Sequence, residues 1–92
     1  MKESLIAGRD AFFFRSIANE LVEARKRHSP PSSAHESYAV ILEELDEYWE
    51  QVKLKRHKRS REKMFVELVQ IAAMAQRAAV EYLMSEGDCS DA

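Results

Sequence analysis

Apolar residues recur along this chain at the three- and four-residue spacing of helices, in three blocks divided by one proline-rich break and one basic run. The break is Ser29-Pro30-Pro31-Ser32-Ser33. Its adjacent prolines remove two donors and push the preceding residue out of helical geometry. Before it, Phe13, Phe14, Ile17, Ala18, Leu21 and Val22 form one stripe, which predicts a helix starting near Asp10, a plausible N-cap, and running to about Lys26. Beyond it, Ser33 with Glu36 three residues on reads as a capping box, and the helix it opens continues to about Lys55. Tyr38, Ile41, Leu42, Leu45, Tyr48, Trp49 and Val52 fall in one apolar arc of this second helix, while Glu43, Glu44, Glu47 and Glu50 fall on the other side. The third helix, from about Ser60 to Glu86, breaks the amphipathic pattern: sixteen of the twenty-one residues from Met64 to Met84 are apolar. A helix apolar on most sides must be covered by several neighbours, and Ala72, Ala73, Ala75, Ala78 and Ala79 allow close approach.

No hairpin dipeptide competes with this reading, so the chain is expected to be all-α. Ninety-two residues make one domain, 1–92, with flexible ends at 1–9 and 87–92. A chain of this length buries only about 60% of its unfolded surface. Together with the apolar third helix, that predicts three helices per chain forming a bundle by dimerisation or tetramerisation, with the third helix central. The two glycines, Gly8 and Gly87, leave the interior without a phosphate-cradling glycine loop, which excludes P-loop and dinucleotide-binding folds. The single cysteine, Cys89, lies in a polar tail and supports neither a disulfide framework nor a thiolate zinc cluster, so a reducing cytoplasm is expected. No leader pattern precedes the first helix, and no apolar run approaches the roughly 18 residues of a membrane span. The chain is therefore expected to be neither exported nor membrane-spanning.

The net charge of -2 conceals a separation of sign. Lys53 to Lys63 carries seven Lys or Arg against one Glu, and the remainder of the chain holds seven bases against fifteen acids.

Within the apolar third helix, Glu67, Gln70, Met74 and Glu81 share one narrow strip at helical spacing. A carboxylate there is costly unless a cation or donor meets it; Lys63 and Arg77 are the nearby side chains that could do so. The second helix offers a matching strip, Glu43, Glu44 and Glu47, where like charges stand one turn apart. If the strips face one another, four carboxylates share a small volume. A hard divalent cation stabilises that arrangement, magnesium best and manganese as a substitute.

These residues carry a resemblance. Glu43-Glu44-Leu45-Asp46-Glu47, followed on the next helix by Glu67-Leu68-Val69-Gln70, resembles the EExxE and ExxD pair of the MazG-like, all-alpha NTP pyrophosphohydrolases. The likeness covers roughly Ser33 to Leu83. It implies an obligate helical dimer or tetramer that hydrolyses a nucleoside triphosphate to the monophosphate and pyrophosphate with Mg2+. By position, Glu44, Glu47 and Glu67 are the implied metal ligands, with Glu43 as a further ligand or as base for the attacking water. The base of the nucleotide is implied to sit in an aromatic or apolar pocket, for which Trp49, Tyr48 and the phenylalanines of the first helix are candidates. The family's final Asp is Gln70 here, and an amide carbonyl is a weaker magnesium ligand. Such a site binds one metal rather than two, recruits Glu81, or turns over poorly.

The basic run, with Lys53, Arg56 and Lys58 foremost, has three readings: a solvated turn, a grip on nucleic-acid phosphates, or a guide for triphosphate toward the acidic site. It lacks interleaved aromatics, which argues against nucleic acid as the partner. His28, His35 and His57 show no metal spacing. The leading expectation is thus magnesium-dependent hydrolysis of a non-standard or deoxynucleoside triphosphate. The alternatives are a catalytically weak nucleotide-binding or oligomeric module of the same fold, and a small nucleic-acid-associated protein.

Overall fold

In the computed structural model, which describes residues 8–85, the chain is all-helical. The helices are α1 (Arg9–Arg27), α2 (Ala34–Val52) and α3 (Arg61–Arg77), the last continued by a π-helical segment, Ala78–Met84. A short 3-10 turn, Arg56–Lys58, lies between α2 and α3. Residues 1–7 and 86–92, with Gly87, Cys89 and the expected end of the third helix at Glu86, lie outside the described residues. No described helix is long and apolar enough to cross a membrane.

Local chemistry accounts for each boundary. α1 begins at Gly8, whose φ of 68° suits a residue without Cβ, so Asp10 lies in the first turn rather than at the cap. Ser33 caps α2 by accepting the Glu36 N–H at 3.0 Å. The Glu36 carboxylate returns to the N–H and hydroxyl of Ser32, one residue earlier than a standard capping box. α2 stops at Val52, three residues short of the expected Lys55, because Arg59 folds back and donates to the carbonyls of Val52 (2.7 Å) and Leu54 (3.1 Å). Ser60 caps α3 through the Lys63 N–H, while its own N–H donates to the Gln51 amide at 2.8 Å.

α3 packs against both other helices, so it is the central element within a single chain. The core joins Ile17 and Leu21 of α1 to Val69 and Ala73 of α3, with Phe13, Phe65, Ala72 and Met74 packed around them. Phe65 stands edge-on to Phe13 and meets Phe12 as well, both at 5.7 Å between ring centroids. α2 contributes no fully buried residue. It turns Val40, Ile41, Glu44, Tyr48 and Val52 toward the bundle and leaves Tyr38, Leu42, Leu45 and Trp49 of the expected apolar arc exposed.

The π segment alters the strip predicted on the third helix. A π turn takes more residues than an α turn, so Glu81 no longer sits in line with Glu67 and Gln70. It meets Arg25 of α1 and Arg77 instead.

Candidate metal centre

α2 and α3 bring Glu44, Glu47 and Glu67 together, with one carboxylate oxygen of each within 4.8 Å of the others. Each arrives by helical spacing. Glu44 and Glu47 lie three residues apart on α2, and Glu67 faces them from two turns into α3. Glu44 and Glu67 are half-buried; Glu47 is exposed.

The electrostatics of the cluster are those of anions without a counter-charge. Burial, reinforced by Glu47, Glu67, Glu43 and Glu20, pushes the Glu44 carboxyl up to about 7. Burial also raises Glu67, aided by the charge of Glu47 and a carboxyl–carboxyl hydrogen bond with it. Glu44 Oε1 and Glu67 Oε1 are shielded from solvent and lack a hydrogen-bond partner. Among the described residues no Lys or Arg forms an ion pair with any of the three. The guanidinium of Arg77 is committed elsewhere, donating to Glu81 (2.8 Å) and to the His28 carbonyl (3.0 Å). Glu81 is correspondingly held below the usual carboxylate range by Arg77 first and Arg25 second, so it is not free to join the cluster. Lys63, too, makes no ion pair with Glu67.

The donor set fits a hard divalent cation: oxygen ligands only, and two carboxylate oxygens without a hydrogen-bond partner among the described residues. Gln70 lines a cavity of about 420 Å³ together with Glu43 and Glu44. Arg27, His28, Pro30-Pro31, Val40, Met74 and the buried Arg77 line it as well. On the far side of the cluster, Glu67 borders a wider cleft of about 850 Å³ with Phe12, Tyr48, Phe65, Arg61 and Lys63.

The other expected site residues are placed apart from the cluster. Lys53 pairs with Glu50 at 3.0 Å, Arg56 and Lys58 are exposed in the 3-10 turn, and Trp49 lies on the outer side of α2. None of the four lines either cavity. The basic side chains beside the acids are the last of the run, Arg61 and Lys63, and beside the smaller cavity Arg27 and Arg77. Glu20 is a further participant absent from the sequence-based set. It lines the cavity, raises Glu44 and stands 3.6 Å from Arg27. Its signal was an acid placed at helical spacing between the buried Ile17 and Ala24.

Fold and site together define an all-helical protein with a candidate carboxylate metal centre between two adjacent helices. Comparison with protein-family models, curated proteins and solved structures finds no match.

Proposed function

We propose that this chain is a magnesium-dependent nucleoside triphosphate pyrophosphohydrolase resembling the MazG-like enzymes, acting as a homodimer or homotetramer in the cytoplasm. The observation that carries the reading is the convergence of Glu44, Glu47 and Glu67 from two consecutive helices, with unpartnered oxygens on two of them. In this reading the three carboxylates hold Mg2+, or Mn2+ in its place. When bound, the ion polarises a phosphoryl oxygen and lowers the pKa of water. Glu43, exposed at the cavity rim one turn from Glu47, supplies a further ligand or accepts a proton from the attacking water. Gln70 offers its amide carbonyl where the family carries a carboxylate. Arg61 and Lys63 flank Glu67 in the wider cleft and bind triphosphate oxygens, while Phe12, Tyr48 and Phe65 give that cleft an apolar wall for a base.

The test is a panel of ribo- and deoxynucleoside triphosphates incubated with Mg2+ or Mn2+ and assayed for pyrophosphate. Release with at least one substrate, abolished by Glu67→Gln, is the expected result. Absence of release with every substrate sinks the hydrolase. If magnesium and triphosphate still bind in that case, the chain is a nucleotide-binding module, in keeping with the weaker ligand at Gln70.

A further inference from the structure

The outer side of α2 carries an apolar row that no other described residue covers. Tyr38, Leu42, Leu45 and Trp49 are 66%, 39%, 48% and 54% exposed. Their spacing of four, three and four residues keeps them on one line over three turns. No charged side chain interrupts the row, although six acids lie elsewhere on the same helix. Together the four expose on the order of 400 Å² of mainly apolar surface, the size of the largest patch on a typical monomer, where such a patch is often functional.

The order of residues in the row identifies what covers it. It reads aromatic, leucine, leucine, aromatic, and its spacing is symmetrical about the midpoint between Leu42 and Leu45. A two-fold axis through that midpoint therefore lays the row antiparallel on a copy of itself, Tyr38 against the partner's Trp49 and Leu42 against the partner's Leu45. Antiparallel helices also oppose their dipoles favourably. At about 100° per residue, Glu43 and Glu47 project from the opposite side of α2, so this contact leaves the candidate metal centre open, and Asp46 is the acid of α2 that flanks the row. Homodimer interfaces are about 65% apolar, so a row of this size fits a contact of about 600 Å² per partner, the lower end of the range of a stable dimer. Its need is evident in the single chain, where α2 adds nothing fully buried to a core of Ile17, Leu21, Ala24, Val69 and Ala73.

We infer that the Tyr38-Leu42-Leu45-Trp49 row of α2 is the interface with a second copy of this chain, joined antiparallel about a two-fold axis between Leu42 and Leu45. Homodimerisation therefore runs through α2, whereas the apolar composition of the third helix pointed to that helix as the contact. The inference shares with the proposed function only the expectation of a homo-oligomer.

Light scattering coupled to size exclusion tests it on the full chain, with circular dichroism as the check on folding. The wild type is expected at twice 10.6 kDa. Leu42→Glu is expected to give a helical monomer, because two carboxylates are buried against partner leucines. Adding Leu45→Lys to that variant is expected to restore the dimer, since each new Glu then faces the partner's new Lys. Val80→Glu, on an exposed position of the π segment, is expected to remain dimeric. A monomeric wild type overturns the inference, as does a dimer that survives Leu42→Glu and dissociates with Val80→Glu. Should Leu42→Glu lose its helical signal, the double variant decides: a dimer supports the interface and a monomer overturns it. Pyrophosphate release measured on the same samples keeps the two proposals separate. A dimer without release removes the hydrolase alone, and a wild-type monomer with release removes the interface alone.

Discussion

Glu44 and Glu67 place carboxyl groups in half-buried positions where no cationic side chain among the described residues pairs with them, and that gives the metal-free protein a definite response to pH. The Glu44 carboxyl titrates near 4.5 when the chain is unfolded and at about 7 when it is folded. Between those values the folded state binds more protons than the unfolded state, so stability falls as pH rises through the window and levels off above it. Glu67, also raised, adds to the same trend. Thermal melts in chelator are expected to give a higher Tm at pH 5 than at pH 8, with the slope reduced in Glu44→Gln. A flat profile, or one rising with pH, contradicts this account. Magnesium needs the ionised carboxylates, so its stabilising effect is expected to be larger at pH 8 than at pH 5 and to shrink in Glu67→Gln. If the amide at position 70 limits metal binding, Gln70→Asp raises both the magnesium-induced shift in Tm and any pyrophosphate release.

The start of α2 and the end of α3 carry different kinds of stabilisation. At the start of α2 the Ser33 hydroxyl satisfies one otherwise orphaned N–H, and Ser33→Ala is expected to cost about 1 kcal/mol in urea unfolding. At the end of α3 the contacts are long-range. Arg77, 4% exposed, ties the π segment to the carbonyl of His28 and shares Glu81 with Arg25. Arg77→Ala strands the Glu81 carboxylate, whose side chain is only 13% exposed, with Arg25 alone. A loss of about 3 kcal/mol is expected, larger than for Ser33→Ala, and a smaller loss means that Arg25 compensates. The cap of α2 was legible in the chain because Ser33 acts on a residue three positions away, whereas Ser60 was legible only as the approximate start of α3. Glu81 was not, because its partners follow from a change in helical pitch and from Arg25, fifty-six residues away.

At the scale of the molecule, three helices give one thin core between α1 and α3 and a second helix packed from one side only. α3 has its two neighbours within the chain, which meets part of the demand that its apolar composition creates. The remaining exposed apolar surface lies in a row on α2 and is scattered elsewhere, at Phe12, Phe14 and Val22 of α1, Val66 and Leu68 of α3, and Val80, Leu83 and Met84 of the π segment. Stability is accordingly expected to depend on protein concentration: the wild-type Tm rises on concentration and that of Leu42→Glu does not. A wild-type Tm independent of concentration argues for a self-sufficient monomer.

The resemblance singled out Glu44, Glu47 and Glu67, while the chain alone settled the helical class, the breaks between the helices, the Ser33 cap and the carboxylate strips of Glu43, Glu44 and Glu47 and of Glu67. All of these are set by interactions within a few residues or by periodicity that backbone geometry converts directly into a face. The tertiary structure alone decided which of several apolar faces each helix turns inward, since α2 carries more apolar arc than α3 can cover. It also assigned the counter-charges: Arg77 and Arg25 to Glu81, and, among the described residues, none to the acids of the candidate metal centre. Lys53, Arg56 and Lys58 ended away from the cluster, and Arg61 and Lys63 beside it, for a related reason. Arg59 folds back on α2 and turns the chain before those last two residues enter α3, a step set by side-chain contacts across the turn that charge along the sequence does not encode.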